Sequence, residues 1–185
     1  MPRPLLTLGY GNRQLDDVLA LLRRHEVRYL IDVRSAPYSR FNPAYSRGNL
    51  EAVLEGVAIR YVFMGDTLGG RPSDASWYDD AGHVDYLACR ESADFKNGFE
   101  RLRSAFEQDV GAAIFCSELR PEHCHRTKLI GEVMVEMGVK VEHIDANGSS
   151  ASHWAVMERL HDAQMSLVDE PNRATRSRRA IAAAS

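Results

Sequence analysis

Short apolar runs of strand length alternate along this chain with longer stretches whose apolar residues return every three or four positions. That alternation limits the fold more than any other feature. Residues 5–8, 29–33 ("YLIDV"), 59–63, 112–115 and 139–144 ("VKVEHI") are the strand-like runs. Between the first two, Leu15, Val18, Leu19 and Leu22 repeat at helical spacing after Asn12, a residue suited to capping. A short helix is expected after Asn49, and two more over 83–91 and 95–108, the second with Phe95, Phe99, Leu102 and Phe106 on one face. Pro121 suits the first turn of a helix that the pattern carries to Met137, with Gly138 as its stop. Residues 148–152 read as a loop before a last helix over 153–165. Strands alternating with helices predict a single α/β domain over 1–168, built on a mostly parallel five-stranded sheet with helices on both faces, Rossmann-like but with the strand order open. Residues 169–185 lack a packing pattern and read as a disordered basic tail.

A chain of 185 residues suits one domain, and its 44% apolar and 26% charged shares are those of a globular protein. No apolar run approaches the roughly 20 residues that cross a bilayer, and the first residues lack the apolar segment of a secretory signal. A cytoplasmic location with no membrane partner is expected. Three cysteines make no disulfide framework, which fits a reducing compartment. The net charge of −3 hides an asymmetry, because residues 171–185 carry Arg173, Arg176, Arg178 and Arg179 and no acid, which leaves −7 for residues 1–170. A nucleic-acid partner would therefore have to be held by a local patch or by the tail.

In open parallel sheets, ligands bind beyond the carboxyl ends of the strands. Every loop expected at that edge is unusual. After the first strand comes "GYGN"; after the second, Asp32, Arg34, Ser35 and Arg40; after the third, Gly69, Gly70 and Arg71. After the fourth comes "CSELRPEHCHR", and after the fifth Asp145, Asn147 and His153. The opposite connections, such as "HEVR" and "EMGV", are plain.

The stretches "TLGYGN", "IDVRSAPYSRFNP", "LGGRP", "CSELRPEHCHR" and "HIDANGSSASH" resemble the domain-of-unknown-function family 488, over residues 7 to about 153. The resemblance implies an α/β fold and a shared site, and no particular reaction. Tyr10 and Gly11 depart from the His-Ser-type pair usual there, so it assigns those two side chains no role.

Three readings compete for the cysteine-rich stretch. A metal site would draw on Cys116, His123, Cys124 and His125, or on Cys116 and Cys124 with Asp32 or His153. The spacing argues against it: the cysteines are eight apart with no second pair, and three adjacent ligands on a helix would fan apart around its axis. No metal is therefore expected. A thiol nucleophile needs a cysteine near cations or a helix start. Cys116 and Cys124 qualify in outline, yet neither has the arginine that closes the Cys-x₅-Arg loop of rhodaneses and phosphatases: for Cys116 that position is Glu122, and Arg126 follows Cys124 by only two residues. An anion clamp needs the fewest coincidences. The start of a helix at Pro121 offers free N–H groups, Arg126 a fork of donors, and Arg34, Arg40 and Arg71 further guanidinium groups. Asp32, Glu118 and His125 are the acid–base candidates beside it, with Cys116 and Cys124 at the floor. Ser35, Gly69, Gly70 and His153 complete the expected ligand contacts.

The expected function is an enzyme acting on a phosphorylated small molecule, a nucleotide or a nucleic-acid end. A non-catalytic nucleotide or nucleic-acid binding module, and a thiol-dependent or metal-binding protein using Cys116 and Cys124, are the alternatives. Cofactor and oligomeric state are left open by the sequence.

Overall fold

A computed structural model describes residues 3–165 and 174–177. Its sheet follows from the apolar runs. Strands β1 (Leu5–Gly9), β2 (Tyr29–Asp32), β3 (Arg60–Phe63), β4 (Ala112–Cys116) and β5 (Val141–Ile144) are all parallel, and β6 (Ser150–Ser152) adds an antiparallel edge, in the order β3-β2-β4-β1-β5-β6. Side chains of the central strands alternate between two cores, as a sheet covered on both faces requires. Leu6, Leu8, Leu30 and Phe115 join one core, while Leu5, Ile31, Ile114 and Cys116 join the other.

The helices divide between the same two faces. Helices α1 (Leu15–Arg24) and α2 (Arg47–Glu55) bury Val18, Leu22, Leu50 and Leu54 against the first core. Short helices α3 (Gly65–Leu68) and α4 (Tyr86–Glu91), and the long α5 (Ala93–Glu107), cover the second. Ser92 caps α5 by accepting from the Phe95 N–H, and Asp85 caps α4 through the N–H groups of Leu87 and Ala88. Helix α6 (Glu132–Glu136) follows β4 on the second face, and α7 (His153–Met165) ends the described core of the chain.

Three departures from the sequence reading have local causes. The sheet has a sixth strand where a loop was expected, because Asp145 and Gly148 (φ 84°) close a tight turn that folds residues 150–152 back onto β5. The long helix expected over 121–137 is broken. Pro121–His123 form one 3₁₀ turn, Cys124 is extended (φ −117°, ψ 145°), and the helix resumes as a π-helical stretch, Arg126–Gly131, that runs into α6. Within 169–185, residues 174–177 are docked rather than loose: Tyr86 N–H donates to the Thr175 carbonyl, and Ser177 N–H to that of Val84. The remainder of the expected tail lies outside the described residues.

Among the described residues, no helix is long and apolar enough to cross a membrane.

Candidate functional site

The helices that follow β1 and β2 lie on one face, and those that follow β3 and β4 on the other. The loops leaving these strands must therefore diverge, and a crevice opens at their carboxyl ends. A cavity of about 290 Å³ sits there. Tyr10 reaches it from the β1 loop, Arg34, Ser35 and Tyr38 from the β2 loop, and Gly70 and Arg71 from the loop after α3. The β4 loop supplies Cys116, Glu118, His123, Cys124 and His125, and Tyr86 and Ser177 close one side.

Arg34 is the fixed cation of this cavity. It is only 4% exposed. Its Nε and Nη2 donate to Oδ1 and Oδ2 of Asp32 at 2.9 and 2.6 Å. Asp32 is held in turn by the Arg34 backbone N–H and by the Tyr61 hydroxyl at 2.7 Å. The guanidinium carbon lies 5.1 Å from the Phe115 ring centre and 5.5 Å from that of Tyr10. One donor, Nη1, is buried with no hydrogen-bond partner, an arrangement that folded proteins avoid without a compensating role. Ser35 serves the loop: its Oγ accepts the Arg71 N–H at 2.9 Å, and Gly69 has no room for a side chain because a Cβ there would lie 2.3 Å from that Oγ.

The break in the helix after Pro121 decides what the cysteines do. Extended backbone at Cys124 turns its side chain toward the end of β4, where Cys116 sits. Both Sγ atoms lie 3.7 Å from His125 Nδ1. His125 Nε2 is 3.0 Å from the Val33 carbonyl, which only accepts, so Nε2 carries the hydrogen and Nδ1 presents its lone pair to the sulfurs. Gly70 makes room for this ring, since a Cβ there would meet His125 Cγ at 2.5 Å. The two thiols are pulled apart in acidity. The hydrogen bond that Cys116 donates to Cys124, and then burial, push Cys116 up. Burial would raise Cys124 too, but the hydrogen bond from Cys116 and the Arg126 charge outweigh it and bring Cys124 down.

Arg126 does not reach the cavity. It is fully buried, with Nη1 donating to the Glu118 carbonyl at 2.5 Å, Nη2 to that of Leu119 at 3.2 Å, and Nε to Thr7 Oγ1 at 3.3 Å. The line continues beyond Thr7. Thr7 Oγ1 is 2.7 Å from His143 Nδ1, His143 Nε2 is 3.0 Å from His153 Nδ1, and His153 Nε2 is 2.8 Å from Glu132 Oε1. With both rings neutral, the carboxylate end orders the donors: His153 donates to Glu132, His143 to His153, and Thr7 to His143. Burial and the nearby Arg126 charge hold His143 well below the usual imidazole range, which keeps that ring neutral. The His153 hydrogen bond brings Glu132 below its usual value, against burial.

The family described as "Domain of unknown function DUF488" matches residues 14–133. The chain belongs to that family. No curated protein and no solved structure matches it.

In this DUF488 protein the cavity gathers Arg34, Ser35, Gly70, Arg71, Cys116, Glu118, Cys124 and His125 of the residues singled out from sequence. Five others do not line it, Gly69 among them, packed beside Ser35. Asp32 is fully buried behind Arg34, and Arg126 behind the β4 loop. His153 lines a second cavity beside Trp154 and Glu132. Arg40 is exposed and does not line the first cavity. The expected helix start at Pro121 is a single turn, so it supplies no dipole for an anion. Sequence reasoning passed over Thr7 and His143, polar residues paired in register on β1 and β5. Their place at core positions of two central strands was the available signal. Tyr86 and Ser177 carried no such signal.

Proposed function

We propose that this chain is an enzyme whose pocket binds the anionic group of a phosphorylated small molecule or nucleotide, with Arg34 as anchor. The observation that carries the reading is the Arg34 guanidinium: it lines the cavity, is locked in place by Asp32, and keeps one donor without a partner. A guanidinium fixed in this way meets an anion with little ordering cost. Arg71, exposed at the mouth, adds a second cation, and Tyr38, 73% exposed, offers a ring for a base or sugar. The cavity volume lies near the lower end of ligand sites, which favours a small phosphorylated body over a long nucleic-acid end. Glu118 and His123 are the acid–base candidates, because both line the pocket. Asp32 positions Arg34, and both His125 nitrogens are already engaged.

Thermal melts and calorimetric titrations with inorganic phosphate, nucleoside monophosphates and short oligonucleotides test this reading. A charge-assisted contact contributes about 1.5–3 kcal/mol, so Arg71→Ala should weaken a phosphate-bearing ligand about ten- to a hundredfold while leaving the melt of the free protein unchanged. A parent indifferent to all of these ligands would overturn the reading. Tight binding without turnover of any bound ligand would make the chain a binding module instead.

A further inference from the structure

Spacing along the sequence argued against a metal because adjacent ligands on a helix diverge. Cys124 is not on a helix. Its extended backbone brings Cys116 Sγ, Cys124 Sγ and His125 Nδ1 within 4.8 Å of one another. We propose that these three atoms are the protein ligands of a zinc-class divalent cation, with a fourth coordination position open to the pocket.

The distances support this. Zinc bonds of about 2.3 Å to sulfur and about 2.0 Å to nitrogen in tetrahedral array set neighbouring sulfur and nitrogen ligands roughly 3.6 Å apart. Both sulfur–nitrogen separations here are 3.7 Å, close to that value. The ligand chemistry agrees. Two thiolates and an imidazole form a soft, nitrogen-containing set that suits zinc and not magnesium or calcium. The imidazole is already in the required tautomer, because its other nitrogen donates to the Val33 carbonyl, the outer-shell contact that orients metal-bound histidines. Three protein ligands facing a cavity is the arrangement of catalytic zinc, which keeps one position for water or substrate, whereas structural zinc is closed by four. Glu118, His123 and Arg34 line the same cavity. The site stands apart from the anion reading: the cation can bind whether or not phosphate does.

The full chain, kept reduced and stripped with a chelator, is titrated with cobalt(II) chloride. The expected result is one equivalent bound, with the thiolate-to-cobalt charge-transfer band and the strong visible bands of tetrahedral cobalt, both lost on adding zinc chloride. Cys116→Ser and Cys124→Ser should each weaken binding by more than the roughly tenfold that even an outer-shell partner contributes. Cys89→Ser should not, because Cys89 is buried in the second core away from the cavity. In the unaltered protein, zinc should protect two of the three cysteines from alkylation, a readout that needs no variant to fold. Absence of the cobalt bands, or bands that survive both serine variants, would overturn the proposal. So would a Cys116–Cys124 disulfide that forms in air at the same rate with and without zinc, which would make the pair a redox couple.

Discussion

Replacing Arg126 by alanine removes the donor from three acceptors at once. Two are the backbone carbonyls of Glu118 and Leu119, which the guanidinium pulls toward β1, and the third is Thr7 Oγ1. Each acceptor left unsatisfied out of water costs about 1–3 kcal/mol. Some of that returns when the loop relaxes into solvent, since Glu118 is exposed. A void in place of a fully buried arginine adds to the loss. The expected destabilisation is about 4 kcal/mol, a large part of the roughly 5–15 kcal/mol that holds a domain folded. For a chain of this length that lowers the melting temperature by about 8–16 °C. Urea denaturation followed by circular dichroism measures it, provided the slope of the transition is unchanged. Arg126→Lys should recover only part, because one ammonium cannot serve two carbonyls and a hydroxyl in the geometry of a planar fork. A variant within about 1 kcal/mol of the parent that nevertheless loses phosphate binding would refute this account and return Arg126 to the ligand.

Glu132 makes the fold weakly pH-dependent: its folded-state value is depressed, so its charge stabilises above the usual glutamate range and that contribution disappears as pH falls through the folded value. The stability advantage of the parent over Glu132→Gln, about 1 kcal/mol at about pH 7, should shrink as pH falls below the usual glutamate range in parallel denaturation series, and a constant gap would contradict the assignment. Ala58, just past α2, sits at φ 57° and is exposed, so Ala58→Gly should relieve left-handed strain and raise stability by up to about 1 kcal/mol; a lower melting temperature would show that the turn needs the alanine.

Much of the fold was legible because periodicity reports burial. β1, α1 and α7 appear near the expected positions, and the parallel sheet follows from strands separated by helices. The sixth strand was missed because three residues with no alternating pattern carry no strand signal, although "NG" at 147–148 marks the turn that makes it pair. For the site, the loops that converge were legible and the roles of their side chains were not. Arg34 and Arg126 look alike in sequence; one lines the cavity, and the other is buried by the carbonyls of its own loop. Nothing in the run 121–126 shows that the chain extends at Cys124, and that single backbone choice moves Cys124 from the face of a helix to a common point with Cys116 and His125. Such a choice depends on the fully buried Arg126, a tertiary fact.

The line from Arg126 through Thr7, His143 and His153 to Glu132 joins five positions spread over most of the chain. Every hydrogen in it is aimed away from the guanidinium, so no member can be exchanged for one with the opposite donor sense without turning its neighbours. The five residues therefore form one unit of inheritance: drift at Glu132, which lines a second cavity, is felt at the carbonyls of Glu118 and Leu119. Evolution can retune the mouth of the pocket from a residue that no ligand touches, and can do so only by altering partners together.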